Sequence, residues 1–125
     1  MKQLLSTLLV LTLFISCSKD TETVTDYTAK NEQGTGTQPT AASNVTVAYK
    51  GYFTNGNVFD QSKAEGISLS LNKVIRGWTE GIPYFKAGGS GVLLVPSHLG
   101  YGSTNNGPIP GGSVLIFDVK LISVN

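Results

Sequence analysis

Apolar and polar positions along this chain fall into short runs, and the runs change character at Asn44. From there Val45-Thr46-Val47-Ala48-Tyr49 alternates as a half-buried strand does, and Lys50-Gly51-Tyr52-Phe53 continues it. Asn55-Gly56, within Thr54-Asn55-Gly56-Asn57, is the strongest short hairpin signal, after which Val58-Phe59-Asp60 resumes extended structure. Ile67, Leu69 and Leu71 alternate with serines and predict a further strand. A helix is predicted over residues 74–85, with Val74-Ile75 at its start and Trp78, Ile82 and Phe85 spaced for one face. Pro83 must lie at or beyond its end, because proline breaks an interior turn. Gly88-Gly89 reads as a turn, and Val92-Leu93-Leu94-Val95 as a short apolar strand ended by Pro96. Residues 97–112 read as an irregular loop rich in Gly and Pro. In the last run Leu115, Phe117, Val119 and Leu121 face one side, while Asp118 and Lys120 face the other. Together these elements predict an α+β fold: an antiparallel sheet with one short helix packed across it.

Upstream of Asn44 the pattern differs. Residues 18–43 are rich in Thr, Ser, Asn, Gln and Gly, and cannot bury enough surface to offset their ordering entropy. Their first part is expected to be a flexible tether. Before it, Met1-Lys2 leads into an apolar stretch from Leu4 to Ile15, followed by Ser16-Cys17. A positive start, a short apolar core and a small residue before the cut read as a secretory signal, too short to span a bilayer comfortably. Phe14-Ile15-Ser16-Cys17 resembles a bacterial lipobox. The resemblance implies cleavage before Cys17 and lipidation of its thiol, with several acyl chains giving a stable anchor. An ordinary signal peptide with an incidental cysteine is the alternative. The expected division is 1–16 signal peptide, 17–33 lipidated cysteine and tether, and 34–125 folded domain, held outside the cytoplasm on a bacterial membrane, with the outer membrane favoured.

Composition narrows the function. A chain of 125 residues with 40% hydrophobic and 14% charged residues is too apolar for a disordered one and sets a prior of one small domain. The net charge of +1, with no Lys/Arg cluster, lacks the footprint of a nucleic-acid binder. With His98 the only histidine and Cys17 the only cysteine, neither a metal cluster nor a hydrolytic triad is suggested.

Three ordered blocks carry a family signature. They are Tyr49-Lys50-Gly51-Tyr52 with Gly56-Asn57-Val58-Phe59-Asp60; Val74-Ile75-Arg76-Gly77-Trp78-Thr79-Glu80-Gly81; and Gly100-Tyr101-Gly102 followed by Ile109-Pro110 and Leu115-Ile116-Phe117-Asp118-Val119. Over residues 34–125 the chain resembles the FKBP-type prolyl isomerases. The resemblance implies a bent antiparallel sheet wrapped around a short helix, and an activity on X-Pro bonds of polypeptides. It implies no cofactor or metal, a monomer, and binding of macrolide-type ligands of the family. It assigns Tyr49, Phe59, Asp60, Ile75, Trp78, Tyr101 and Phe117 to the catalytic pocket, and Ile67, Val74 and Ile109 to substrate binding. Tyr49, Phe59, Trp78 and Phe117 would line a slot for the pyrrolidine ring, with Trp78 its floor. The Ile75 N–H, at a helix start where amides lack internal partners, and the Tyr101 hydroxyl would hold carbonyls. Asp60 would sit at the pocket edge.

The sequence departs from the family pattern in three places. The segment between Asp60 and Val74 is shorter than in the smallest well-known members. Asn105-Asn106-Gly107 stands where a histidine is frequent. Members place a strand just before the Gly34-Thr35-Gly36 turn, where this chain has Asp26 to Gln33, with Tyr27 and Ala29 its only apolar residues. A non-catalytic module that docks a proline-containing segment in the same pocket is the alternative function, and a surface lipoprotein without a pocket is a third.

Overall fold

Two long strands form the centre of the molecule because their alternating apolar residues share one face. A computed structural model describes residues 32–125. The signal peptide, Cys17, most of the tether and most of the expected upstream strand lie outside the described residues. In chain order the elements are β1 (Asn44–Phe53), β2 (Val58–Gln61), β3 (Ile67–Ser70), α1 (Arg76–Gly81), β4 (Ser90–Val95) and β5 (Leu115–Val124). Short 3-10 turns cover Leu71–Lys73, Ile82–Tyr84 and Ser97–Leu99.

β1 buries Val45 and Val47 completely, and β5 buries Leu115, Phe117, Val119 and Leu121 while Asp118 and Lys120 face solvent. The two strands pair antiparallel along their length, from Val45 opposite Val124 to Phe53 opposite Leu115. β4 pairs with the other edge of β5, placing Gly91 opposite Val119 and Val95 opposite Leu115. β2 and β3 divide the remaining edge of β1 between them: β2 takes Lys50 to Tyr52, and β3 takes Asn44 to Val47. The result is an open antiparallel sheet of five strands, in the order β2-β1-β5-β4 with β3 beside β2's end of the path, and one short helix on its apolar face.

α1 packs closely on β4 because two of its residues lack a Cβ. A methyl at Gly77 would lie 2.6 Å from Val95 Cγ1, and one at Gly81 would lie 2.8 Å from Leu93 Cδ2. These glycines are one turn apart, so they share a face. Trp78, Ile82, Leu71 and Phe85 join Val95 and the β1 and β5 residues in one core cluster.

The helix is shorter than the sequence pattern predicts. Val74 and Ile75 are extended rather than helical, with Ile75 at φ −57° and ψ 147° as the N-cap. At the other end Pro83 has no N–H to continue the ladder, and the chain tightens into the 3-10 turn, where the Phe85 N–H reaches the Ile82 carbonyl at 2.9 Å. Leu71 is likewise outside its predicted strand. It anchors the 3-10 turn, fully buried.

Near the start of the described chain, Glu32 and Ser90 exchange two backbone hydrogen bonds of 2.7 Å, an isolated bridge on β4. Gly34, at φ 86°, then turns the chain, and the Lys86 and Ala87 amides donate to the Gln33 and Thr37 carbonyls. No helix among the described residues is long and apolar enough to cross a membrane.

Candidate active site

An irregularity in β2 brings two neighbouring side chains to one cavity. Gly51 faces Asp60 and Tyr52 faces Val58, so Phe59 is an extra residue on β2. Strict alternation would send Phe59 and Asp60 to opposite faces. A bulge re-aims side chains, and here both residues line the same pocket. Gly51 makes room beneath. A Cβ there would lie 2.7 Å from Phe59 Cζ and 2.8 Å from Phe117 Cε1.

The aromatic wall is built edge to face. Trp78 meets Tyr49 at 5.1 Å and 82°, and Phe117 at 5.3 Å and 84°. Phe59 meets Phe117 at 5.6 Å and 85°, and Phe53 backs Phe59 at 4.9 Å. Edge-to-face pairs of this kind hold ring positions more tightly than burial alone, by about 0.5–1.5 kcal/mol each. Trp78 is 5% exposed, and its Nε1–H has no acceptor among the described residues.

The polar groups are few. The Tyr49 hydroxyl donates to Asp60 Oδ2 at 2.5 Å. Burial pushes the Tyr49 phenol up from the usual 10 to about 12, and the Asp60 carboxylate, through this bond and its charge, adds to the effect. The Tyr101 hydroxyl has no hydrogen-bond partner among the described residues, and Tyr101 is 39% exposed. Its loop is held where the Gly102 N–H reaches the Ser97 carbonyl and the Gly112 N–H reaches the Gly102 carbonyl, both at 2.8 Å. The Ile75 carbonyl accepts the Trp78 and Thr79 amides, whereas the Ile75 N–H has no acceptor among the described residues. The segment that carries it is tied to α1 by the Thr79 hydroxyl, which donates to the Leu71 carbonyl at 2.5 Å.

Tyr49, Phe59, Asp60, Ile67, Val74, Ile75, Trp78, Tyr101 and Phe117 all line one cavity of about 310 Å³. Ile109 does not. It is 6% exposed in the core cluster, where its backbone closes a small bridge with Asn106. Leu69 and Lys73 also line the cavity and were not singled out by sequence. Leu69 was within reach of the pattern, since it stands two residues from Ile67 on the same strand face. Lys73 offers no periodic signal. A larger groove of about 680 Å³ opens on the far side of α1, lined by Pro83, Tyr84, Leu93, Leu94 and Leu99 among others. Its only ionisable side chains are Glu80 and the exposed Tyr84, and it lacks a closed aromatic wall, so the smaller cavity is the better candidate.

Comparison with known proteins agrees with this geometry. The model of the FKBP-type peptidyl-prolyl cis-trans isomerase family matches residues 35–122. The chain belongs to that family. It is 46% identical over 87 residues to the FKBP-type peptidyl-prolyl cis-trans isomerase FkpA of Buchnera aphidicola, a match that covers 68% of this chain and 34% of the relative. The chain thus spans about a third of the length of the curated relatives it matches. Among solved structures, a peptidyl-prolyl cis-trans isomerase from Pseudomonas syringae superposes with TM-score 0.71 at 35% identity, covering 75% of this chain and 71% of that one. FkpA from Escherichia coli superposes with TM-score 0.72 at 28% identity, covering 99% of this chain and 72% of that one.

Proposed function

We propose that this protein catalyses cis-trans isomerisation of X-Pro bonds in polypeptides outside the cytoplasm and so assists their folding. The observation that carries the reading is the cavity walled by Tyr49, Phe59, Trp78 and Phe117, with the Tyr49–Asp60 bond at its edge. Rotation about an X-Pro bond has a barrier of about 18–20 kcal/mol and takes tens to hundreds of seconds unaided. It breaks no covalent bond, so the task is to favour a twisted amide over a planar one. Twisting removes amide resonance. The carbonyl becomes less dipolar, and the nitrogen regains a lone pair. An apolar, ring-lined slot favours that less dipolar state over the planar ground state. Donors already in place, the Ile75 N–H and the Tyr101 hydroxyl, take substrate carbonyls without reorganising. Removing about 5 kcal/mol from the barrier accelerates rotation several thousandfold.

In this reading Trp78 is the floor, Tyr49, Phe59 and Phe117 are the walls, and Ile67, Val74 and Leu69 extend the apolar rim. Asp60 orients the Tyr49 hydroxyl and meets the edge of the twisting amide. Residues 1–16 act as a signal peptide, Cys17 carries the lipid anchor, and a tether that ends before Glu32, where the chain joins β4, holds a monomeric domain near the membrane.

A proline-peptide isomerisation assay on the full chain in neutral detergent tests the activity. Acceleration over buffer is expected. A folded sample that quenches Trp78 fluorescence on adding a prolyl ligand but accelerates nothing would make this a binding module instead. Mass analysis of the protein expressed in bacteria tests the anchor: the mature chain is expected to begin at an acylated Cys17.

A further inference from the structure

The cavity's wall carries a cation that has no ion-pair partner among the described residues. Lys73 ends the 3-10 turn Leu71–Lys73 and lines the pocket next to Val74 and Ile75. Its backbone is fixed from two sides. Leu71 in the same turn is fully buried, and the Leu71 carbonyl accepts the Thr79 hydroxyl of α1. The side chain is exposed and, among the described residues, has neither an ion pair nor a hydrogen bond. Of the other charges nearby, one pair is closed, and Asp60 is bonded to a neutral group. Arg76 pairs with Glu80 one turn along α1 at 3.2 Å, and Asp60 holds the Tyr49 hydroxyl.

A prolyl ring seated among Tyr49, Trp78 and Phe117 leaves the rest of its chain to cross a lining that includes the exposed Lys73. Two charges at a solvated rim interact weakly but measurably, and more so at low ionic strength. We infer that Lys73 is a specificity-determining residue, which makes the site favour prolines flanked by an acidic residue and disfavour those flanked by a basic one. Asp60 keeps its carboxylate charge beside the neutral Tyr49 phenol and acts in the opposite sense on groups near its own edge of the cavity, whereas Lys73 has no ion-pair partner among the described residues. The inference rests on the isomerase reading of this cavity.

The test compares chromogenic peptides that differ at one residue. The full chain in neutral detergent is assayed on Ala-Glu-Pro-Phe, Ala-Gln-Pro-Phe and Ala-Lys-Pro-Phe, and on a second series with the variable residue after the proline. In the series whose variable residue passes Lys73, kcat/KM for the Glu peptide is expected to exceed that for Gln by about two- to fivefold at low salt. The Lys peptide is expected to fall below Gln, and the ratios to shrink towards one at 1 M salt, where charges are screened within about 3 Å. Lys73→Gln should bring the Glu-to-Gln ratio near one, and Lys73→Glu should invert it. Because the readout is a ratio on each variant, a change in the common rate divides out. Acceleration that is blind to charge in both series, or a Glu preference that survives Lys73→Glu, overturns the role of Lys73 alone. No acceleration of any peptide, Gln included, overturns the isomerase reading and this inference together.

Discussion

The Tyr49 hydroxyl lies 2.5 Å from Asp60 Oδ2, joining the middle of β1 to the bulged strand β2 across the mouth of the pocket. Burial, reinforced by this bond and the Asp60 charge, keeps the phenol protonated to higher pH. With its value raised from 10 to about 12, the neutral form contributes stability that is complete below pH 10 and is lost as pH rises through about 12. A spectrophotometric titration at the phenolate band should therefore show one tyrosine ionising later than the rest, and Tyr49→Phe should remove that late step. Activity should show no step from Tyr49 between pH 7 and 9.

Asp60→Ala should lower kcat/KM by about tenfold or more while the melting temperature moves little. The carboxylate is exposed, and what its loss removes is one hydrogen bond from the half-buried Tyr49 hydroxyl, worth about 1 kcal/mol in such a setting. Thermal unfolding monitored beside the peptide assay separates the two effects. Unchanged turnover would mean the carboxylate has no part in the chemistry.

Gly51→Ala is expected to act on both stability and rate. The added methyl meets Phe59 Cζ and Phe117 Cε1 inside 3 Å, and overpacking of this kind costs about 1–3 kcal/mol. Since Phe59 and Phe117 are also walls of the cavity, their displacement should lower prolyl-ligand affinity. Denaturant titration gives the first effect, and quenching of Trp78 fluorescence by a prolyl peptide gives the second. A variant as stable and as tight-binding as the parent would show that the two rings are free to move aside.

Thr79→Val should loosen the segment from Leu71 to Ile75 without touching the pocket directly. It removes the donor to the Leu71 carbonyl, at a cost of about 1 kcal/mol. Hydrogen exchange should show faster amides over the 3-10 turn Leu71–Lys73, with β1 and β5 unaffected.

Much of this arrangement could be read from the chain. The alternation of Leu115, Phe117, Val119 and Leu121 sets β5 and its buried face, because a period of two has one physical outcome in a sheet covered on one side. The aromatic side chains of the pocket were legible through their motif, not their spacing. Three things were hidden. The bulge that turns Phe59 and Asp60 to one cavity depends on the register against β1, which no local pattern encodes. The short span of α1 follows from the extended Val74 and Ile75, which read equally well as a helical face. Ile109 shares the family motif with the pocket residues, yet it packs into the core, because a loop residue's direction is set by its turn and not by any period. Lys73 was invisible for the opposite reason: a lone lysine on a turn is ordinary until the fold brings it to the lining of the cavity.

The two glycines of α1 have an effect beyond the contact they make. Lacking side chains at Gly77 and Gly81, the helix is let down against Val95 and Leu93 by the thickness of a methyl group. Trp78 rides on that helix, so the position of its ring in the cavity is set from behind, by atoms outside the cavity's lining. Alanine at either position would push the helix off β4 and shift the Trp78 ring in the cavity, even with every lining side chain kept.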